Sequence, residues 1–75
     1  MTIDEFLTEF QDLLQRDDPL TVDTILQNIE EWDSMSVMAC MAWFDVKFGI
    51  KLPYKTFAQQ TSVQGVINLA EGQIA

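Results

Sequence analysis

Ser34 lies in the run Glu30-Glu31-Trp32-Asp33-Ser34-Met35, where an acidic stretch gives way to an apolar helical pattern. A hydroxyl at such a junction has two uses. It caps the unpaired N–H groups of the first helical turn, or it serves as the point where another group is attached. Taken alone, Asp33-Ser34 before an apolar helix reads as a cap, because a short motif is matched easily by chance. Ser36 is a further hydroxyl, but it falls within the first turn and has no Asp before it.

The other chemistry-bearing residues offer little. The chain has no histidine and a single cysteine, so it holds no Ser/His/Asp or Cys/His arrangement and no expected metal site. Gly49, Gly65 and Gly72 are scattered and make no phosphate loop. The adjacent acids Glu30 and Glu31, or Asp17 and Asp18, read as solvated charge rather than an acid/base pair. Cys40 sits in an apolar helical run, where a reduced, buried thiol is expected. The parts of a stand-alone enzyme are missing.

Length and charge narrow the classes further. A chain of 75 residues makes one small domain, residues 1–75, with an expected stability of about 4 to 11 kcal/mol. Its net charge is −8, and Arg16, Lys47, Lys51 and Lys55 are its only basic side chains, which argues against a nucleic-acid partner. The charge is uneven: residues 1–33 carry −9 and residues 34–75 carry +1. A basic protein partner suits such a field, although acids also keep a half-apolar domain soluble. No apolar run is long enough to span a bilayer. Met1-Thr2-Ile3-Asp4-Glu5 lacks the basic and apolar segments of a secretory signal, so the expected location is the cytoplasm.

The apolar periodicity predicts an all-α fold with a long first loop. A first helix opens on Thr2 and Glu5, spaced as a capping box, and carries Ile3, Phe6, Leu7, Phe10, Leu13 and Leu14 on one stripe to an end near Arg16. Residues 17–33 form a long connection, yet contain Leu20, Val22, Ile25, Leu26, Ile29 and Trp32. Such a segment should lie pinned across the helices, with a helical turn near Thr24 to Gln27. A second helix is expected from Ser34 to Phe48, stopped by Gly49, with Val37, Cys40, Met41, Phe44 and Phe48 facing the core. Tyr54 to Ala58 reads as one short helical turn. A last helix starts near Thr61 or Ser62, with Thr61 and Gln64 spaced as a capping box, and buries Val63, Val66, Ile67, Ala70 and Ile74.

Three stretches taken together carry a resemblance. Glu31-Trp32-Asp33-Ser34-Met35, then Lys47-Phe48-Gly49-Ile50-Lys51-Leu52-Pro53, then Thr61-Ser62-Val63 resemble the acyl carrier protein family in order and spacing over nearly the whole chain. That family's hallmark is Asp-Ser-Leu, here Asp33-Ser34-Met35. The resemblance implies a small four-helix bundle, three main helices plus a short third, and a covalent 4'-phosphopantetheine drawn from coenzyme A onto Ser34. It also implies the partners: a phosphopantetheinyl transferase, a ligase that loads an acyl or aminoacyl group as a thioester, and an acyl transferase or synthase. Asp33 would assist, by holding the loop or approaching the transferase's metal. A monomer is expected.

One departure bears on those partners. Carriers of bacterial fatty acid synthesis have several acids along the second helix, whereas this chain has Ser36, Ala39, Val46 and Lys47 there and keeps only Asp45. The expectation is therefore a specialised pathway, of modified sugars, polyketides or peptides, which the glutamate-tryptophan lead-in also resembles. Met35, Met38, Ala39 and Ala42 would form an apolar docking patch beside Ser34, with Glu30, Glu31 and Asp33 as its acidic rim. The competing expectation is that the first loop or the short helix covers that patch. A rival from another class is an unmodified helical interaction domain, with Ser34 as a cap.

Overall fold

The computed structural model describes all of residues 1–75 and consists of four α-helices and one 3₁₀ turn, without strands. Helix α1 spans Ile3–Leu14. Its first turn is closed by the expected capping box: Glu5 N–H donates to Thr2 Oγ1 at 3.1 Å, and Thr2 N–H donates to Glu5 Oε1 at 2.9 Å. That second bond, from the Thr2 backbone, holds the Glu5 carboxyl below the usual carboxylate range. Phe6, Phe10 and Leu14 recur every fourth residue and are buried, while Ile3, Leu7 and Leu13 flank them half-buried. The helix ends at Leu14 because Gln15 turns left-handed, with φ 55°.

The connection that follows is packed rather than solvated. Leu20, Leu26 and Ile29 are buried, and the backbone is tied to the segment before the last helix by Leu26 N–H to Thr61 O at 2.9 Å and Val63 N–H to Thr24 O at 3.1 Å. These bonds move the helical turn. The turn expected near Thr24 to Gln27 is instead a 3₁₀ turn at Leu26–Asn28, because Ile25 is held extended in an antiparallel bridge with Ser62. Trp32 closes the loop with its ring edge-on to Phe10, centroids 5.9 Å apart.

Helix α2 is Ser34–Phe48, and Gly49 ends it in the left-handed conformation with φ 69°, which glycine adopts without steric cost. Val37, Cys40 and Phe44 are its buried face. Met41 and Phe48, expected on the same face, are half-buried at its edges. Trp43 turns toward α1, where it stacks on Phe6 with centroids 5.0 Å apart.

Helix α3, Tyr54–Ala58, packs along α2 through Phe57, which meets Phe44 edge-on at 5.0 Å. Helix α4 is Val63–Asn68. Its cap is Ser62, whose Oγ accepts from Gly65 N–H at 3.2 Å, and not the Thr61 and Gln64 pair, since Gln64 N–H is already donated to Val22 O at 2.9 Å. Val63, Val66, Ile67, Ala70 and Ile74 are all buried, as their spacing predicts. Sixteen buried apolar residues drawn from every helix and the first loop form one cluster.

Candidate functional site

The start of α2 is built by Asp33 and Ser36. Asp33 is the N-cap, in extended backbone with φ −130° and ψ −175°. Its Oδ1 accepts from Ser36 N–H at 2.9 Å, and Ser36 Oγ accepts in turn from Asp33 N–H at 2.9 Å while donating to Asp33 O at 3.0 Å. Ser36 is therefore consumed by the cap and is only 9% exposed. Replacing Asp33 with Ala should cost about 1 kcal/mol, read as a lowered urea midpoint.

Ser34 is left over. It is the first helical residue, one position past the cap, and it is exposed. Its hydroxyl makes no hydrogen bond to the chain, and the N–H groups of Ser34 and Met35 precede the first intrahelical bond donors and have no acceptor. An anion joined to that hydroxyl would meet two free donors and the positive end of a 15-residue helix. The expectation of Ser34 as the cap of α2 gives way to Asp33. The legible signal was the Asp33-x-x-Ser36 spacing, a capping box with serine in the third position.

The three acids before Ser34 differ in their freedom. Glu30 is exposed and unpaired. Glu31 is tied to Arg16, whose Nη1 donates to its Oε1 at 2.8 Å. Its carboxyl lies below the usual range, first through its own backbone N–H and then through Arg16. Asp33 accepts at the cap, so only Glu30 is wholly free to meet a partner.

The outer face of α2 is uncovered. Met35 is 79% exposed, Met38 60% and Val46 88%, and Ala39 and Ala42 lie exposed between them. Neither the first loop nor α3 lies over them. Two hollows border this face. One, of about 550 Å³, runs between α2 and α3 and is lined by Met38, Met41, Ala42, Leu52 and Tyr54, with Asp45 and Lys51 at its edge. The other, of about 450 Å³, lies toward α1 between Leu13, Leu14, Gln15, Glu31, Asp33, Met35, Ser36 and Ala39. The α2–α3 groove was not legible in the sequence, because Leu52 and Tyr54 reach it only through the turn after Gly49.

Elsewhere, Cys40 is fully buried and burial pushes its thiol up to about 12, so it has no thiolate character at neutral pH. No group of three or more His, Cys, Asp or Glu side chains is placed to hold a metal ion, and no helix is long and apolar enough to cross a membrane. Phe44 and Phe57 are 0% exposed and packed edge-on against each other. Compared with family models, curated proteins and solved structures, the chain matches none of them.

Proposed function

We propose that the chain is a carrier of the acyl carrier type, a small helical bundle that receives 4'-phosphopantetheine on Ser34 and moves an acyl or aminoacyl group between enzymes of a specialised pathway in the cytoplasm. The observation that supports it most is the division of labour at the start of α2. Asp33 and Ser36 complete the cap between them, and the exposed Ser34 hydroxyl has no structural duty. The residues present fit the group. The free N–H groups of Ser34 and Met35 would hold its phosphodiester, and no side chain bonded to the Ser34 oxygen has to be displaced. When attached, the group supplies a thiol on a flexible arm, to which cargo is joined as a thioester.

The protein's own part is to present and to dock. Asp33 fixes the direction of α2 and hence of Ser34 Oγ. A phosphopantetheinyl transferase and its coenzyme A supply the activation, and a loading ligase and an acyl transferase or synthase act afterwards. For those enzymes, Met35, Met38, Ala39 and Ala42 form the contact, with Glu30 the free acid at its rim. The matching partner surface is apolar and edged by Lys or Arg, in keeping with a net charge of −9 over residues 1–33. Met38→Glu should slow acyl transfer from a cognate partner about tenfold or more while leaving the domain folded. Unchanged rates with every partner would remove Met38 from the interface.

A second reading draws on the same face: an unmodified interaction domain would also expose Met35, Met38 and Val46. In that reading the exposed hydroxyl of Ser34 is simply solvated. Co-expression with a broad-specificity phosphopantetheinyl transferase separates the two by intact mass. One phosphopantetheinyl addition supports the carrier, and none with any transferase leaves the interaction domain.

A further inference from the structure

Arg16 is the only basic side chain in the first 46 residues, and it is largely enclosed, with its side chain 20% exposed. Its backbone is fixed to α1. Arg16 N–H donates to Gln11 O at 3.1 Å, and the Gln11 side-chain amide donates back to Arg16 O at 3.0 Å and to Asp17 O at 3.2 Å. From that base the guanidinium reaches across to Glu31 at 2.8 Å, while exposed Asp18 stands off at 3.9 Å. Its Nε is buried and bonded to nothing. A guanidinium that gives up water on one edge to hold a single acid contributes geometry more than net stability.

The acid it holds lies three residues before Ser34. Next to it, Trp32 is held edge-on by Phe10, and Trp32 N–H donates to Ile29 O at 3.3 Å. The end of α1 thus grips the approach to Ser34 at two adjacent residues, once by charge and once by an aromatic contact. The rest of that approach, Glu30 and Asp33, is exposed.

Resting on the carrier reading above, we propose that Arg16 is a positioning residue for the modification of Ser34. Through Glu31 it fixes the lead-in of residues 30–33 where a transferase reads it, and it keeps one of three neighbouring carboxylates turned inward. Ser34 itself is set by the Asp33 and Ser36 cap, which Arg16 does not touch. Loss of Arg16 therefore weakens recognition and leaves turnover of the bound carrier intact.

The test is steady-state modification by a phosphopantetheinyl transferase with coenzyme A, at a temperature where circular dichroism shows each variant folded. Arg16→Ala should raise KM for the carrier about tenfold with kcat within about twofold, and Arg16→Lys should recover part of the loss. Glu31→Gln, which keeps the shape and removes the charge, should raise KM less. Arg16→Ala with Glu31→Ala together should be no worse than Arg16→Ala alone, because both act through one contact. An unchanged KM in folded Arg16→Ala overturns the inference, as does a loss that only tracks the unfolded fraction. Absence of modification in the unaltered chain is a different failure: it sinks the carrier reading and this inference with it.

Discussion

Phe44→Ala is expected to cost about 3–5 kcal/mol, which is from about a quarter to all of the stability of about 4–11 kcal/mol that a chain of 75 residues carries. Phe44 has no exposed surface and is the residue at which three helices meet. Its ring lies edge-on to Phe6 of α1 at 6.5 Å, to Phe48 of α2 at 5.0 Å and to Phe57 of α3 at 5.0 Å. Truncation removes all of these contacts at once and leaves a cavity that three short helices cannot close without moving apart. Urea titration followed by circular dichroism measures the effect. A loss below about 1 kcal/mol would mean that the core repacks around the gap and that Phe44 is not its keystone. Phe44→Leu, which keeps most of the volume, should cost markedly less.

Ser34→Ala should do the reverse, abolishing modification while leaving stability within about 0.5 kcal/mol of the unaltered chain. The hydroxyl bonds to nothing in the chain, and alanine is the better helix former at an exposed position. Asp33→Ala supplies the contrast, since it breaks the bond to Ser36 N–H and frees a backbone donor. Measured side by side, the two variants sort the roles of neighbouring residues. A Ser34→Ala variant that loses as much stability as Asp33→Ala would restore Ser34 to the cap. One that still accepts the group would move the attachment to another hydroxyl.

Much of the helical framework was legible because it depends on local chemistry. The Thr2 and Glu5 box, the Gly49 stop and the spacing of Phe6, Phe10 and Leu14 are each decided within a turn or two of chain. The errors fell where distant backbone competes. The 3₁₀ turn slid to Leu26–Asn28, and the last helix took Ser62 as its cap, both because residues 22–26 pair with residues 61–64 across the molecule. Apolar periodicity carries no trace of such a pairing. Helix α2 was the least readable in its facing. It is apolar almost all round, so its pattern could not say that Trp43 turns in to Phe6 while Met38 turns out.

The site divides in the same way. That Ser34 begins a helix was legible; that its oxygen is free follows only once the Asp33-x-x-Ser36 spacing is read as the capping box, with Asp33 rather than Ser34 as the cap. The grip of Arg16 on Glu31 spans fifteen residues and leaves no periodic trace. The carrier reading proposes a chemical use for that hydroxyl, and with the cap made by Asp33 and Ser36 such a use would leave the helix undisturbed.

The most direct test of the carrier reading is fragment mapping of the intact chain after incubation with coenzyme A and a broad-specificity phosphopantetheinyl transferase. The account predicts one phosphopantetheinyl group per chain, carried by Ser34 in the peptide that contains both Ser34 and Ser36. A group found on Ser36, or a chain left wholly unmodified by every transferase tried, would contradict it.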